Sequence, residues 1–218
     1  MYFIKTPFFA KCLYPSLVWD IPNEENKIFL TFDDGVNETL TPFILNELKK
    51  YDFKATFFLV GENCERYPQQ VKAILDNGHQ IGNHSFNHLN GWQTADDMYL
   101  ENIRQAQIYT QTPLFRPPYG KIRRSQIKKL QNFNYNYKII MWSLMAGDFD
   151  TKISAKICLQ RLKKYTKAGD IIVLHDNIKF EHIIKNILPD YLAFCAEKGF
   201  ILDIVLGREE VRTQREKS

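Results

Sequence analysis

Four segments of the chain gather side chains able to do acid–base or metal chemistry. Asp33 and Asp34 are adjacent carboxylates followed by Gly35. Such a pair can divide the work, one binding a cation and the other facing a substrate. A plain turn is the ordinary alternative, because Asp-Asp-Gly after a strand is common turn chemistry. His84 and His88 lie four residues apart in His84-Ser85-Phe86-Asn87-His88. On a helical turn that spacing would put both imidazoles on one face, within reach of one cation. With one of the two aspartates they would supply three N/O ligands and no cysteine. Three ligands leave positions for water and a substrate oxygen, which marks a catalytic rather than a structural metal site. Arg116-Pro117-Pro118-Tyr119-Gly120 is a stiff segment in which two prolines fix the backbone between an Arg and a Tyr. His175-Asp176 closes an apolar run. His79 and His182 flank helical patterns without a partner and are read as structural.

Residues this distant in sequence need a scaffold that brings strand ends together. Strands are expected at 27–32, 55–60, 80–83, 114–115, 138–142, 171–174 and 201–205. Helices are expected up to Lys50 and at 68–77, 95–107, 125–130, 154–165 and 183–198. Strand followed by helix, about seven times, argues for a parallel sheet with helices outside. Asp33, Asp34, His84, Arg116, Asp148 and His175 all fall just after expected strands. A barrel gathers its strand C-termini into one ring, whereas an open sheet joins only those at its switch point. The expected fold is therefore a distorted (β/α) barrel with about seven strands.

Composition bounds the remaining classes. The 218 residues are 44% hydrophobic and 25% charged, which suits one folded domain rather than a disordered chain. Twenty-nine Lys+Arg against 25 Asp+Glu give a net charge of +4. The basic clusters at Lys121–Arg124 and Lys163-Lys164 lack interleaved aromatics, so no nucleic-acid partner is expected. Cys12, Cys64, Cys158 and Cys195 form no CxxC pair and read as free thiols of a reducing compartment. No apolar run approaches the ~18 residues of a membrane span. Lys5, Pro7 and Lys11 interrupt the N-terminal apolar stretch, so no export signal is read. The expected location is cytoplasmic, or extracytoplasmic if a leader has been removed. Nothing in the sequence fixes an oligomeric state.

The motifs together resemble the polysaccharide deacetylase family, also called the NodB homology domain or carbohydrate esterase family 4. The likeness runs through Thr31-Phe32-Asp33-Asp34-Gly35, then His84 to His88 preceded by Gly82-Asn83, then Arg116-Pro117-Pro118-Tyr119. Trp142 to Asp148 stands at the fourth motif and Leu174-His175 at the fifth. The resemblance implies an extension at 1–26 packed on the barrel, a catalytic domain at 27–207 and a charged, frayed tail at 208–218. It implies Asp33 as general base, with Asp34, His84 and His88 holding one divalent ion, Zn²⁺ first and Co²⁺, Ni²⁺ or Fe²⁺ as alternatives. Arg116 would orient Asp33, the Tyr119 backbone N–H would help hold an oxyanion, and Asp148 would support His175 as general acid. Leu174 and Trp142 would wall the acyl methyl, with Pro118 and Phe149 nearby and Trp92 as a surface for stacking on sugar. The substrate would be an acetylated amino-sugar polymer or conjugate. Another amide, an O-acetyl ester, or a catalytically silent sugar-binding relative are the alternatives. Two positions depart from the usual pattern: Val36 replaces a Pro, and Phe149 replaces a Trp.

Overall fold

Strand β1 (Lys27–Asp33) is buried from Ile28 onward because strands flank it on both sides and helices cover its outer face. Alternate residues point opposite ways. Ile28, Leu30 and Phe32 join the main hydrophobic core, while Phe29 belongs to a separate cluster and Thr31 bonds toward Arg116. Polar groups in a strand this apolar are therefore directed inward, to the barrel lumen.

The structure is a computed structural model that describes residues 2–132 and 136–205; the expected tail, 208–218, lies outside the described residues. The other strands are β2 (Thr56–Leu59), β3 (Gln80–Asn83), β4 (Leu114–Phe115), β5 (Lys138–Ile139), β6 (Leu144–Met145), β7 (Ile171–His175) and β8 (Ile201–Leu202). Their order is β5-β4-β3-β2-β1-β7-β6, and β8 pairs with the first two residues of β1. Every pairing between named strands is parallel. The curled sheet and its outer helices form the expected distorted barrel.

Helices α2 (Leu40–Lys49), α4 (Pro68–Asp76), α5 (Asp96–Thr110), α6 (Arg124–Gln131), α7 (Ala155–Tyr165) and α8 (Glu181–Glu197) follow the expected pattern. Ile44 and Leu48 of α2 and Ile187, Leu188 and Leu192 of α8 are fully buried against the sheet. Each such side chain contributes roughly 1.5–3 kcal/mol by leaving water. Two short helices were not expected: α1 (Phe8–Leu13), which buries none of its residues, and α3 (Gly61–Arg66), which follows β2 directly.

The strand expected at 138–142 ends at Ile139, and β6 at Leu144–Met145 was not expected. Ile140 N–H bonds to Phe115 on one side of the seam, and Ser143 N–H bonds to Ile171 on the other. Between them the carbonyls of Ile140 and Met141 turn inward to accept from Arg116, so the ladder breaks there. The N-terminal segment lies along this seam. Val18 bridges Ile140 in parallel and Lys5 bridges Leu144 antiparallel.

Candidate active site

Asp33 ends β1 on the lumen side and is 3% exposed; Arg116 follows β4 and is fully buried. Arg116 Nη1 donates to Asp33 Oδ1 and to Thr31 Oγ1, both at 2.6 Å. Its Nε and Nη2 donate to the carbonyls of Ile140 and Met141 at 3.2 and 2.9 Å. The guanidinium lies 4.0 Å from the Phe58 ring centroid, close enough for a cation–π contact. A charge buried this completely needs a paired and hydrogen-bonded surround. Here the carbonyls freed by the broken strand, Thr31 and Asp33 supply it. Thr31 stands two residues before Asp33 on the same face, a period-2 signal that sequence reasoning did not use.

Asp34 turns out of the strand with φ 75°, a conformation Asp tolerates better than most residues. Its Oδ2 accepts from Asn177 Nδ2 at 3.1 Å, and its backbone carbonyl accepts from Asn63 Nδ2 at 2.8 Å. Asp34 Oδ1 lies 3.6 Å from His84 Nε2 and 3.2 Å from His88 Nε2. The two imidazoles do not share a helical face. Ser85 and His88 have φ of 63° and 58°, so a tight loop folds them together instead. His84 Nδ1 sits 2.8 Å from the Arg116 carbonyl, to which its N–H donates, leaving the Nε2 lone pair free. Burial lowers the His84 pKa to about 4, against the opposing pull of Asp33, so the ring is neutral at pH 7.

Burial raises the Asp34 pKa, but His88, His175 and His84 outweigh it and hold the carboxyl below the usual range. One donor atom from each of Asp34, His84 and His88 lies within 4.8 Å of the others. Asp34 Oδ1 is buried and accepts no hydrogen bond. A buried carboxylate oxygen with no hydrogen bond, beside the free Nε2 lone pair of His84 and 3.2 Å from His88 Nε2, fits a divalent cation. The cluster draws on Asp34, and Asp33 stays with Arg116.

His175 ends β7 and pairs in register with Asp33 on β1. Asp148, three residues past β6, accepts the His175 backbone N–H at 2.7 Å. Both its oxygens lie 3.1 Å from His175 Nδ1. Burial acts to lower the His175 pKa, but the Asp148 charge and hydrogen bond, with Asp34 and Asp33, raise it to about 9. The lumen rim thus holds a carboxylate and an imidazolium side by side, next to a three-ligand cluster.

The sequence profile of the family described as polysaccharide deacetylase matches residues 20–138, more than half of the chain. This chain belongs to the polysaccharide deacetylase family. A peptidoglycan-N-acetylglucosamine deacetylase of Bacillus cereus is 34% identical over 165 residues, 73% of this chain and 77% of that one. Other curated relatives are longer, and the match spans 57% of one and 32% of another. Among solved structures, the Bc1960 peptidoglycan N-acetylglucosamine deacetylase in complex with 4-naphthalen-1-yl-N-oxidanyl-benzamide superposes with a TM-score of 0.83. It is 29% identical and covers 92% of this chain and 95% of its own. BA3943 of Bacillus anthracis, described as a family pseudoenzyme, superposes at 0.75 with 25% identity, covering 88% and 68%.

Within this deacetylase fold the remaining expected residues fall in different places. Tyr119 is 61% exposed with φ 60°, and its ring meets the His88 ring edge-on at 4.5 Å. Trp92 is exposed and donates its indole N–H to the Ile122 carbonyl at 3.1 Å. Lys121 Nζ lies 5.6 Å from the Trp92 ring and 6.0 Å from the Tyr119 ring, so the three form one stretch of rim. Pro118 is buried, and half-buried Trp142 stands 5.9 Å from the Arg116 guanidinium. Phe149 is half-buried, its ring 5.2 Å from that of His175.

Leu174 departs from expectation. It is fully buried in the main core, on the face of β7 opposite His175. Strand alternation gives the place beside His175 to Val173 instead. Val36 is also fully buried in that core. Asp176 drew notice only as the neighbour of His175, but it pins the first motif. It accepts from Asn37 Nδ2 at 2.7 Å and from the Thr41 hydroxyl at 2.5 Å. Thr41, in the first turn of α2, spends its hydroxyl proton there. Burial, offset in part by those two bonds, pushes the Asp176 carboxyl up to about 7. A Cβ on Gly35 would stand 2.4 Å from Asp176 Oδ2, so only glycine fits.

Proposed function

We propose that this chain is a metal-dependent N-deacetylase of acetylated amino sugars, with the N-acetylglucosamine units of peptidoglycan as its substrate. One observation carries the reading: Asp33 and His175 stand in register on adjacent strands, beside the Asp34–His84–His88 cluster. A divalent ion, Zn²⁺ first on this N/O donor set, would when bound polarise the acetamide carbonyl and activate a water molecule. Asp33, fixed by Arg116, takes the proton as the water attacks. The Tyr119 backbone N–H donates to the developing oxyanion. An amine leaves poorly unless protonated, and His175 delivers the proton that Asp148 keeps on its ring. Val173, Trp142, Pro118 and Phe149 border the acyl group, and Trp92 and Tyr119 offer faces to the sugar.

Support comes from the chemistry of the residues and from the Bacillus cereus relative that acts on N-acetylglucosamine in peptidoglycan. The Bc1960 structure carries an N-hydroxyamide, a group whose two oxygens can chelate a cation. A silent relative would be expected to lack a base, an acid or a ligand, and this chain has all three. The test is acetate release from N-acetylglucosamine oligomers and peptidoglycan fragments, before chelation, after it, and after Zn²⁺ or Co²⁺ is restored. Turnover should vanish on chelation and return with the metal. Full activity in a verified metal-free preparation, or no release from any of these sugars, would overturn the proposal.

A further inference from the structure

The N-terminal segment reaches past the seam to the loop that carries Asp148. The Tyr2 hydroxyl donates to Asp150 Oδ2 at 3.2 Å and accepts from Arg161 Nη1 at 3.0 Å. Arg161 Nη1 also donates to the Ala146 carbonyl at 3.0 Å. The Tyr2 ring packs on Phe149 at 5.1 Å, and Phe149 meets the His175 ring at 5.2 Å. Gly147 has φ 89°, and a Cβ there would stand 2.2 Å from the Tyr2 hydroxyl oxygen. Tyr2 therefore grips the loop on both sides of Asp148. The segment is itself anchored, with Met145 N–H bonded to the Ile4 carbonyl at 2.9 Å and Lys5 paired with Asp170 at 2.5 Å.

We propose that Tyr2 is a positioning residue of the acid side: it holds loop 146–150 so that Asp148 and Phe149 stay against His175. The inference rests on the deacetylase reading of His175 as general acid. The two-residue strand β6 gives this loop little ladder of its own, so its place depends on what packs over it. Misplacing a catalytic group by about 1 Å can cost on the order of 100-fold in rate.

Tyr2→Phe removes both hydroxyl bonds and keeps the ring on Phe149, whereas Tyr2→Ala removes both contacts. Lys5→Met breaks only the ion pair with Asp170 and leaves every Tyr2 contact and the Ile4–Met145 bond in place. On an N-acetyl substrate, kcat should fall roughly 3- to 10-fold in Tyr2→Phe and roughly 10- to 100-fold in Tyr2→Ala, with KM nearly unchanged. On an O-acetyl ester, whose leaving group needs less protonation, the losses should be smaller. Lys5→Met should lower Tm and leave the amide-to-ester rate ratio at the wild-type value. Hydrogen exchange gives a readout independent of turnover. The His175 amide, which donates to Asp148, should exchange at least about tenfold faster in Tyr2→Ala, with β1 amides unchanged. Wild-type kcat with unchanged His175 exchange in Tyr2→Ala would overturn the proposal, as would an equal loss on amide and ester. If the wild-type protein releases no acetate, the deacetylase reading fails, and the exchange comparison still decides whether Tyr2 positions the loop.

Discussion

Replacing Asp148 with Asn isolates what keeps His175 protonated. The amide is nearly isosteric and its oxygen can still accept the His175 backbone N–H, so the loop should hold its place. What disappears is the negative charge and one ring acceptor, the chief groups that bring His175 to about 9. Burial, the largest single influence, then acts against Asp34 and Asp33 alone. The His175 pKa must fall from about 9, and each unit of fall is worth about 1.4 kcal/mol of lost preference for the charged ring. At pH 8 a group of pKa 9 is about 90% protonated, so a fall through 8 empties the charged form there while leaving it populated at lower pH. The kcat of Asp148→Asn should thus lie below wild type at pH 8 and approach it as the pH is lowered. In a pH–kcat profile, the alkaline limb moves to lower pH while the acidic limb and the bound metal stay unchanged. His175→Ala should abolish that limb. An alkaline limb that survives in His175→Ala, or stays in place in Asp148→Asn, would show that another group carries it.

Asp33→Asn should keep the metal and lose roughly 10²–10⁴ in kcat, the usual worth of a general base, whereas Asp34→Ala should lose the metal itself; elemental analysis beside kinetics separates the two. Arg116→Met strips the buried Asp33 of its countercharge and should cost about 3–5 kcal/mol in urea unfolding, and a cost below about 1 kcal/mol would mean that water replaces the guanidinium. His79 accepts the Ala55 N–H at its Nδ1, and burial lowers its pKa to about 4. The unfolded histidine binds its proton near 6.5, so between about 6.5 and 4 the unfolded state holds more protons and stability falls as pH falls. His79→Gln should flatten that slope, as measured by melts across the interval.

The site residues were legible because they interrupt apolar strands. Asp33, His84, Arg116 and His175 each follow a buried run, and a parallel barrel must bring such positions to one rim. Which carboxylate joins the histidines was not legible from spacing, since it depends on Asp34 taking a positive φ while Asp33 stays in the strand. The segment from His84 to His88 is a loop folded back on itself rather than a helical turn, and i, i+4 spacing alone cannot distinguish the two. The resemblance implies Leu174 for the acyl wall, whereas strand alternation places it on the face opposite His175. The division of β5 from β6 depends on Arg116, more than 20 residues upstream, drawing two carbonyls out of the ladder. Tyr2 has no local signature, because its partners Asp150 and Arg161 are 148 and 159 residues away.

If Asp33 and His175 serve as base and acid, as proposed, register alone would make them a poor pair. A carboxylate and an imidazolium on adjacent strands could bond to each other, leaving the base without a free lone pair and the acid without a proton to give. Each instead has a closer partner from another strand end. Arg116 Nη1 is 2.6 Å from Asp33, and both Asp148 oxygens are 3.1 Å from His175 Nδ1. The partners occupy one oxygen of the base and one nitrogen of the acid. Asp33 Oδ2 and His175 Nε2 would then remain for the proposed reaction. Two ion pairs laid side by side keep the carboxylate and the imidazole from pairing with each other. The loops after the two-residue strands β4 and β6 supply both partners, so in the proposed mechanism these loops would hold the acid and base apart.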